Sequence, residues 1–462
     1  MFALHIFALQ NKKLDLQLPL KIKNTTGRCM QNYMLGLCLL STSATAQMLI
    51  WIPNTPSSLA PFQQNSQRLA SLTANNVLIY AHPSQLTQLP TFKAAQPRQA
   101  QYTSAAVILP TDIDTVRRLL SQPENYVGLF PSLKKAERLE QSGNMLKMKY
   151  QVHIPTPIPV LNFKENIVMQ HHITENSIHS LILDAPIPYA AGQIEWFFLS
   201  PHQTLVTITQ WGDLNQPRGF LFSKILNALP EAKLGIPAGT NAFFMEALQQ
   251  RFKANEINKP RATTSHQLPR QQQEWVAELS QKSKQPVTFM LPNQTSHFQN
   301  TATNMRFSSS YHYYPNPEQQ LQPWIGIKAS QQLFPRQVKH IEIRPTQNQS
   351  QIADYKVSVG LGVIHIPFNF KMNVLQANPS QTEFEALDGD LKFVKAKMQL
   401  RPFKQGTLFQ MSSAVKIHDQ APFLLRAMRS MPYHDVLPAV GANTVYALKV
   451  QQNQKDQLSR RN

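Results

Sequence analysis

Asn162-Phe163-Lys164-Glu165-Asn166 returns later in the chain as Asn369-Phe370-Lys371-Met372-Asn373. Five residues alone prove little, but the neighbours return in the same order. Leu129-Phe130-Pro131 recurs as Leu333-Phe334-Pro335, Tyr150-Gln151-Val152 as Tyr355-Lys356-Val357, and Thr204-Leu205 as Thr407-Leu408. Pro230 followed by Gly239-Thr240-Asn241 recurs as Pro432 followed by Gly441-Ala442-Asn443. The offsets run from 201 to 207 residues, so the chain of 462 residues is an internal duplication. Each copy, at roughly 180 residues, is long enough to bury its own core.

Around the echo the pattern is that of a sheet with one wet face. Leu146, Met148, Tyr150, Val152 and Ile154 alternate with Lys147, Lys149, Gln151 and His153, the period of two that a half-buried strand requires. In the second copy Val394, Ala396, Met398 and Leu400 alternate with Lys395, Lys397, Gln399 and Arg401. Ahead of these runs, Val77 to Tyr80 reads as a short strand whose counterpart is Val287 to Met290. Ile113, Val116, Leu119 and Leu120 form the apolar face of a helix capped by Thr111 or Asp112 and stopped by Pro123. Helical periodicity returns at 220–229, is broken by Pro230 and Pro237, and resumes after Asn241, with Asn241 or Thr240 as a plausible N-cap and Phe244, Leu248 and Phe252 on one face. In the second copy the first helix is degraded by Pro317 and Pro323, leaving Leu321, Trp324 and Ile325 as its face. The order in each copy is strand, helix, a run of antiparallel strands, and a split terminal helix that must cover the sheet's apolar face.

That order, with Pro123-Glu124-Asn125-Tyr126 running into Leu129-Phe130-Pro131 after the first helix, resembles the START/Bet v 1-like (SRPBCC) superfamily. The nearest branch is the coenzyme-Q-binding and polyketide-cyclase-like group, and the likeness covers residues 100–255. The resemblance implies an α+β chain of two tandem helix-grip domains, each a curved antiparallel sheet around a C-terminal helix with a hydrophobic cavity between them. The strand near Val77 and the Pro-split terminal helix depart from the simplest members.

The expected organisation is a signal region at 1–47, a linker at 48–66, a first domain at 67–254, a linker at 255–273, a divergent second domain at 274–450 and a polar tail at 451–462. In the signal region Lys21, Lys23 and Arg28 precede an apolar stretch at 34–40 and a small-x-small site at Ala44-Thr45-Ala46. This predicts export to a periplasm or beyond, cleavage near Ala46 and a functional start at Met30; an uncleaved anchor is the alternative, because 48–52 prolongs the apolar run. Cys29 and Cys38 precede the cut, so the mature chain would contain no cysteine and no disulfide or thiol chemistry.

The net charge of +19 favours polyanions, anionic membrane surfaces among them. Nucleic acid is not expected, since the cations are scattered over strands and no recognition motif accompanies them. No nucleophile elbow, phosphate-cradling Gly loop, paired carboxylates or metal-spaced His cluster is present; His171 and His172, adjacent on a strand, point to opposite faces. No catalytic residue, metal or cofactor is predicted. Candidate cavity residues are Tyr150, Val152, Phe163, Glu165, Ile167, Trp196, Phe198 and Phe244 in the first copy, and Tyr355, Phe370 and Met372 in the second. By alternation Phe163, Glu165, Ile167 and Met169 share a face, and the echo sets Glu165 against Met372. A carboxyl in an apolar pocket would anchor a ligand headgroup or act as an acid; a position near the strand end, open to water, is the plainer alternative. The expectation is an exported, non-enzymatic protein that sequesters or transfers a hydrophobic molecule or lipid, such as a quinone, an acyl chain or a sterol-like compound. A cyclase or aromatase and a non-catalytic envelope interaction protein with filled cavities are the alternatives.

Overall fold

A computed structural model describes residues 48–459, apart from 94–95, 155–162, 219–222, 224–225, 228, 263–265, 300, 347–349 and 362–363. The expected signal region, with Met30, Ala46 and both cysteines, lies outside the described residues, as do Asn162, Phe220, Leu221 and Ile225.

The first copy opens with α1 (Ser66–Thr73), β1 (Val77–Ala81) and a small ribbon of β2 (Gln85–Thr87) and β3 (Arg98–Ala100). It continues through β4 (Thr103–Leu109) and α2 (Ile113–Leu120). Asp112 caps α2 by accepting from the Thr115 N–H at 2.8 Å, and Val116 and Leu120 turn inward. The antiparallel run is β5 (Leu133–Ser142), β6 (Met145–Ile154), β7 (Phe163–Ile173), β8 (Ser177–Asp184), β9 (Ala190–Ser200) and β10 (Gln203–Gly212), followed by α3 (Ala232–Asn258).

The second copy repeats this after β11 (Arg261–Ala262) and α4 (Arg270–Ser283). β12 (Val287–Phe298) and β13 (Thr301–Tyr314) lead to the broken helix, in pieces α5 (Glu318–Leu321), a 3-10 turn (Gln322–Ile325) and α6 (Ala329–Leu333). Then come β14 (Val338–Pro345), β15 (Ser350–Leu361), β16 (Ile364–Asn378), β17 (Gln381–Gly389), β18 (Phe393–Phe403) and β19 (Gly406–Lys416). α7 (Phe423–Ala427) and α8 (Leu437–Ser459) close the chain.

The sheet passes without a break from one copy to the other. Its ladder runs β5-β6-β7-β8-β9-β10-β4-β1 and then β12-β13-β19-β18-β17-β16-β15-β14, with β11 added beside β12. The order is palindromic about the β1–β12 seam, where Val77 faces Met290 and Leu78 faces Phe289. All five residues of β1 are buried, the continuous apolar run expected of a strand covered on both faces. One face carries Val77, Ile79 and Met290 into the first copy's core. The other carries Leu78, Tyr80 and Phe289 into a shared core roofed by α1 and α4 through Leu69, Leu72, Val276 and Leu279.

The cores are also interlocked. Leu226, Leu229 and Ala232 of the first copy belong to the core of the second, while Val436 and Val440 of the second belong to that of the first. The two terminal helices cross where Gly235 lies against Val445 and Gly441; a Cβ at Gly235 would stand 3.0 Å from Val445 Cγ2. Only a residue without a side chain lets the backbones approach so closely.

Several expectations change. Pro237 sits inside α3 without ending it: in the second turn it forfeits the bond to the Lys233 carbonyl, and the rest of the 27-residue helix is held by packing. Neither Asn241 nor Thr240 is therefore a cap. Asn241 Nδ2 donates to the Thr103 carbonyl at 2.7 Å and Asn443 Nδ2 to that of Ser308 at 2.9 Å, pinning each helix to its sheet. The presumed linker 48–66 is stitched to the first copy. Gln170 exchanges two hydrogen bonds with the Leu49 backbone, and Glu195 accepts from the Ser58 N–H at 2.8 Å. Within 255–273, α3 runs on to Asn258 and α4 begins at Arg270, and residues 451–459 of the presumed tail are the last turns of α8.

Candidate functional site

In the first copy the inward faces of β6, β7, β8 and β9 do not meet α3, and a cavity of about 260 Å³ remains. Its walls are apolar: Phe130 from the loop after α2, Val152 and Ile167 from β6 and β7, and Phe243 and Phe244 from α3. Phe130 and Phe244 meet edge to face with centroids 4.8 Å apart.

Among the polar side chains in the lining, which also include Ser132, Gln193 and Gln210, three are bonded in a row. The Tyr150 hydroxyl lies 2.7 Å from His171 Nε2, and His171 Nδ1 lies 2.8 Å from Ser180 Oγ. All three line the cavity. The placement follows from strand geometry: His171 pairs with Ser180 across β7 and β8, and Tyr150 with Ile167 across β6 and β7. His171 is only 2% exposed. Burial, with no charge to offset it, pulls its pKa down to about 3 and raises that of Tyr150. At neutral pH the row is an uncharged hydroxyl–imidazole–hydroxyl chain. Its hydroxyl ends can donate to or accept from a ligand oxygen.

The second copy has a smaller cavity of about 130 Å³. Tyr355 keeps the place of Tyr150 and stacks on Phe370, centroids 5.0 Å apart. The places of His171 and Ser180 are taken by Val374 and Phe384, which pair across β16 and β17 as those two do across β7 and β8. The lining is apolar apart from hydroxyls, and burial raises the pKa of Tyr355.

Of the predicted residues, Tyr150, Val152, Ile167 and Phe244 line the first cavity, and Tyr355, Phe370 and Met372 the second. Glu165 does not. It pairs with Val152 and so shares the inward face, but it lies toward the strand end, half-buried and outside the lining. Trp196 is wholly buried, its indole N–H donating to the Glu175 carbonyl at 3.2 Å; it is core and not cavity wall. Phe198, near the end of β9, is 57% exposed. The side chain of Phe163 lies outside the described residues.

The contrast of Glu165 with Met372 also fails. Tyr150 faces Ile167 and Tyr355 faces Phe370, so Ile167 matches Phe370, Met169 matches Met372, and Glu165 matches Phe368. The five-residue echo is displaced by four residues along the strand, an even number that preserves the face and hides the slip. His171 was missed although the signal was there: the inward series Phe163, Glu165, Ile167, Met169 reaches it in one more step. Its neighbour His172 points outward, toward Asn144. Among the described residues no cluster of metal-ligating side chains occurs.

No family model and no curated protein matches the chain. Solved structures do. The di-domain aromatase/cyclase StfQ of steffimycin biosynthesis is 9% identical, with 76% of this chain and 99% of that one covered and a TM-score of 0.24. The Zhui aromatase/cyclase from a Streptomyces species is 18% identical over 34% of this chain and 98% of its own, TM-score 0.25. A START superfamily protein from Mycobacterium smegmatis is 16% identical over 33% and 98%, TM-score 0.25. The chain itself is two tandem copies of an antiparallel sheet with helices, joined in one continuous sheet. Three of the matched structures are of aromatase/cyclases, so the expectation of a non-enzyme is not carried forward. The reaction is a property of those proteins.

Proposed function

We propose that the first copy binds an apolar molecule with one hydrogen-bonding end, such as a quinone or an aromatic ketone, and that the second copy is its structural partner. The observation that carries this is the difference at matching positions: the bonded row Tyr150–His171–Ser180 lines the first cavity, while Tyr355, Val374 and Phe384 stand at those places in the second copy. An apolar pocket with a few convergent polar groups is the usual form of a small-molecule site. The neutral chain suits a carbonyl or phenol better than a charged headgroup, which would be desolvated without a counter-charge. On this reading the protein is exported, and its net charge of +19 favours work beside anionic membrane, where quinones and acyl chains reside.

A naphthoquinone titration tests the reading, because Trp211 lines the cavity and a bound quinone quenches it. Saturable quenching is expected, weakened at least about tenfold, on the scale of a lost buried hydrogen bond, in His171→Val. The variant Val374→Ala, in the second copy, is expected to leave it unchanged. Absence of saturable quenching, or equal affinity in His171→Val, would refute it.

A further inference from the structure

The two copies differ most at places their repeat makes equivalent. On one side of the helix crossing, Arg306 and Glu246 form a bidentate ion pair between β13 and α3, and the side chains are 3% and 0% exposed. Its second contact, Nη2 to Oε2, measures 2.9 Å. The matching residues on the other side are Gln101 and Leu448, by the registers that align Leu109 with Tyr314 and Asn241 with Asn443. Gln101 makes no such pair with Leu448; it donates instead to the Ser283 carbonyl at 2.5 Å and accepts from Gln285 at 2.8 Å. There the seam stands open as a cleft of about 470 Å³, walled by β1, β4 and α3 of the first copy and by Pro286 and α8 of the second.

The charges in this cleft do not cancel. Arg98 Nη1 is bound to Asp213 Oδ2 at 2.7 Å, and its guanidinium lies 4.5 Å from the centroids of both Phe92 and Tyr189. Asp213 is thereby neutralised. Lys233 Nζ has only the neutral Asn215 Oδ1, at 3.2 Å, and is in none of the ion pairs formed among the described residues. The helix end adds nothing, because the N–H groups of Ala232, Lys233 and Leu234 are already bonded to Leu229, Pro230 and Glu231. Thr444, 3% exposed, lines the same cleft, and its hydroxyl has no partner. A buried hydroxyl left unpaired is destabilising, and a ligand hydroxyl that reached it would offset that.

We propose that this cleft is a second ligand site, distinct from the START-like cavity, for a hydroxylated small anion: a phosphate monoester or carboxylate held by Lys233, with its hydroxyl on Thr444. The ligand bridges the two copies and does on the open side what the Arg306–Glu246 pair does on the other. The anion has two sources, a free metabolite or a lipid headgroup.

Titration calorimetry of the full chain with glycerol phosphate, glycerate and uncharged glycerol addresses the first source. Co-sedimentation with phosphatidylcholine vesicles, with and without phosphatidic acid, addresses the second. Saturable binding of either anion, or phosphatidic-acid-dependent sedimentation, is expected, with none for glycerol. Binding should weaken tenfold or more in Lys233→Met and measurably in Thr444→Val, while both variants keep the parent's thermal midpoint without ligand. A variant that loses that midpoint is replaced by Lys233→Gln, which keeps a polar end. Binding in neither arm, or binding that the substitutions leave unchanged, would overturn the proposal.

Discussion

Leu78 of the first copy stands directly opposite Phe289 of the second in the β1–β12 ladder, and both are wholly buried. The seam between the copies is therefore not a docking of two finished domains but a stretch of common core, closed further by the exchanged segments around Leu229 and Val440. Equilibrium unfolding in urea should accordingly show one cooperative transition for both copies. Leu78→Asp, which drives a carboxylate into a dry seam, is expected to cost at least about 3 kcal/mol. Two separable transitions in the parent chain would contradict the shared core.

The Arg306–Glu246 pair is a second link across the seam. Glu246→Leu leaves the guanidinium buried and unpaired, a loss of about 3–5 kcal/mol. Adding Arg306→Gln rebuilds the Gln101–Leu448 combination that the other side already tolerates, and most of that loss should be recovered. Urea midpoints of the three chains decide it; no recovery would mean that the two sides are not equivalent.

Acid should destabilise the protein through its buried histidines. Burial holds His171 and His312 at about 3 and His82 and His266 at about 4. In the unfolded chain each titrates near ~6.5. The unfolded state therefore takes up protons first as pH falls. Stability is unaffected by these groups above about pH 6.5 and falls as pH drops through 6.5 toward 4, by about 1.4 kcal/mol per unit for each histidine. Urea stability measured between pH 7 and 5 should show that slope, reduced by about one histidine's share in His82→Gln.

The second cavity offers a gain-of-function test. Val374→His with Phe384→Ser places the imidazole and hydroxyl of the first cavity beside Tyr355, and the quinone stoichiometry should rise from one to two. Removing the Phe384 ring enlarges the 130 Å³ cavity and should lower stability by roughly 3–5 kcal/mol, by analogy with other buried Phe truncations. Unchanged stoichiometry in a folded double variant would show that the three-residue chain is not sufficient.

Much of the fold was legible because alternation is a local property. The period of two along residues 146–154 and 394–400 needs nothing but neighbours to declare a half-buried strand, and Asp112 declares its helix in the same way. Pro237 misled for a related reason: its cost is local and known, while the packing that outweighs it is not visible in the sequence. Pairing register was the harder quantity. The echo of Asn162 to Asn166 in Asn369 to Asn373 keeps the face but slips by four residues, and only the partners Ile167 and Phe370 of the two tyrosines reveal it. Glu165 drew attention by that slip, and His171, one step further along the same face, escaped it.

By itself the sequence determined that the chain is doubled, that each copy is an antiparallel sheet with a terminal helix, and which face of each strand turns inward. Those are consequences of side-chain period and chain order. Tertiary structure alone decided that the two sheets fuse at Leu78 and Phe289, that Tyr150, His171 and Ser180 meet in one cavity while Val374 and Phe384 take those places in the other copy, and that one side of the seam holds a buried ion pair where the other holds a cleft. Each of these depends on which residues of distant strands and helices lie within a few ångströms, and hydrogen bonding, desolvation and packing act only at that distance.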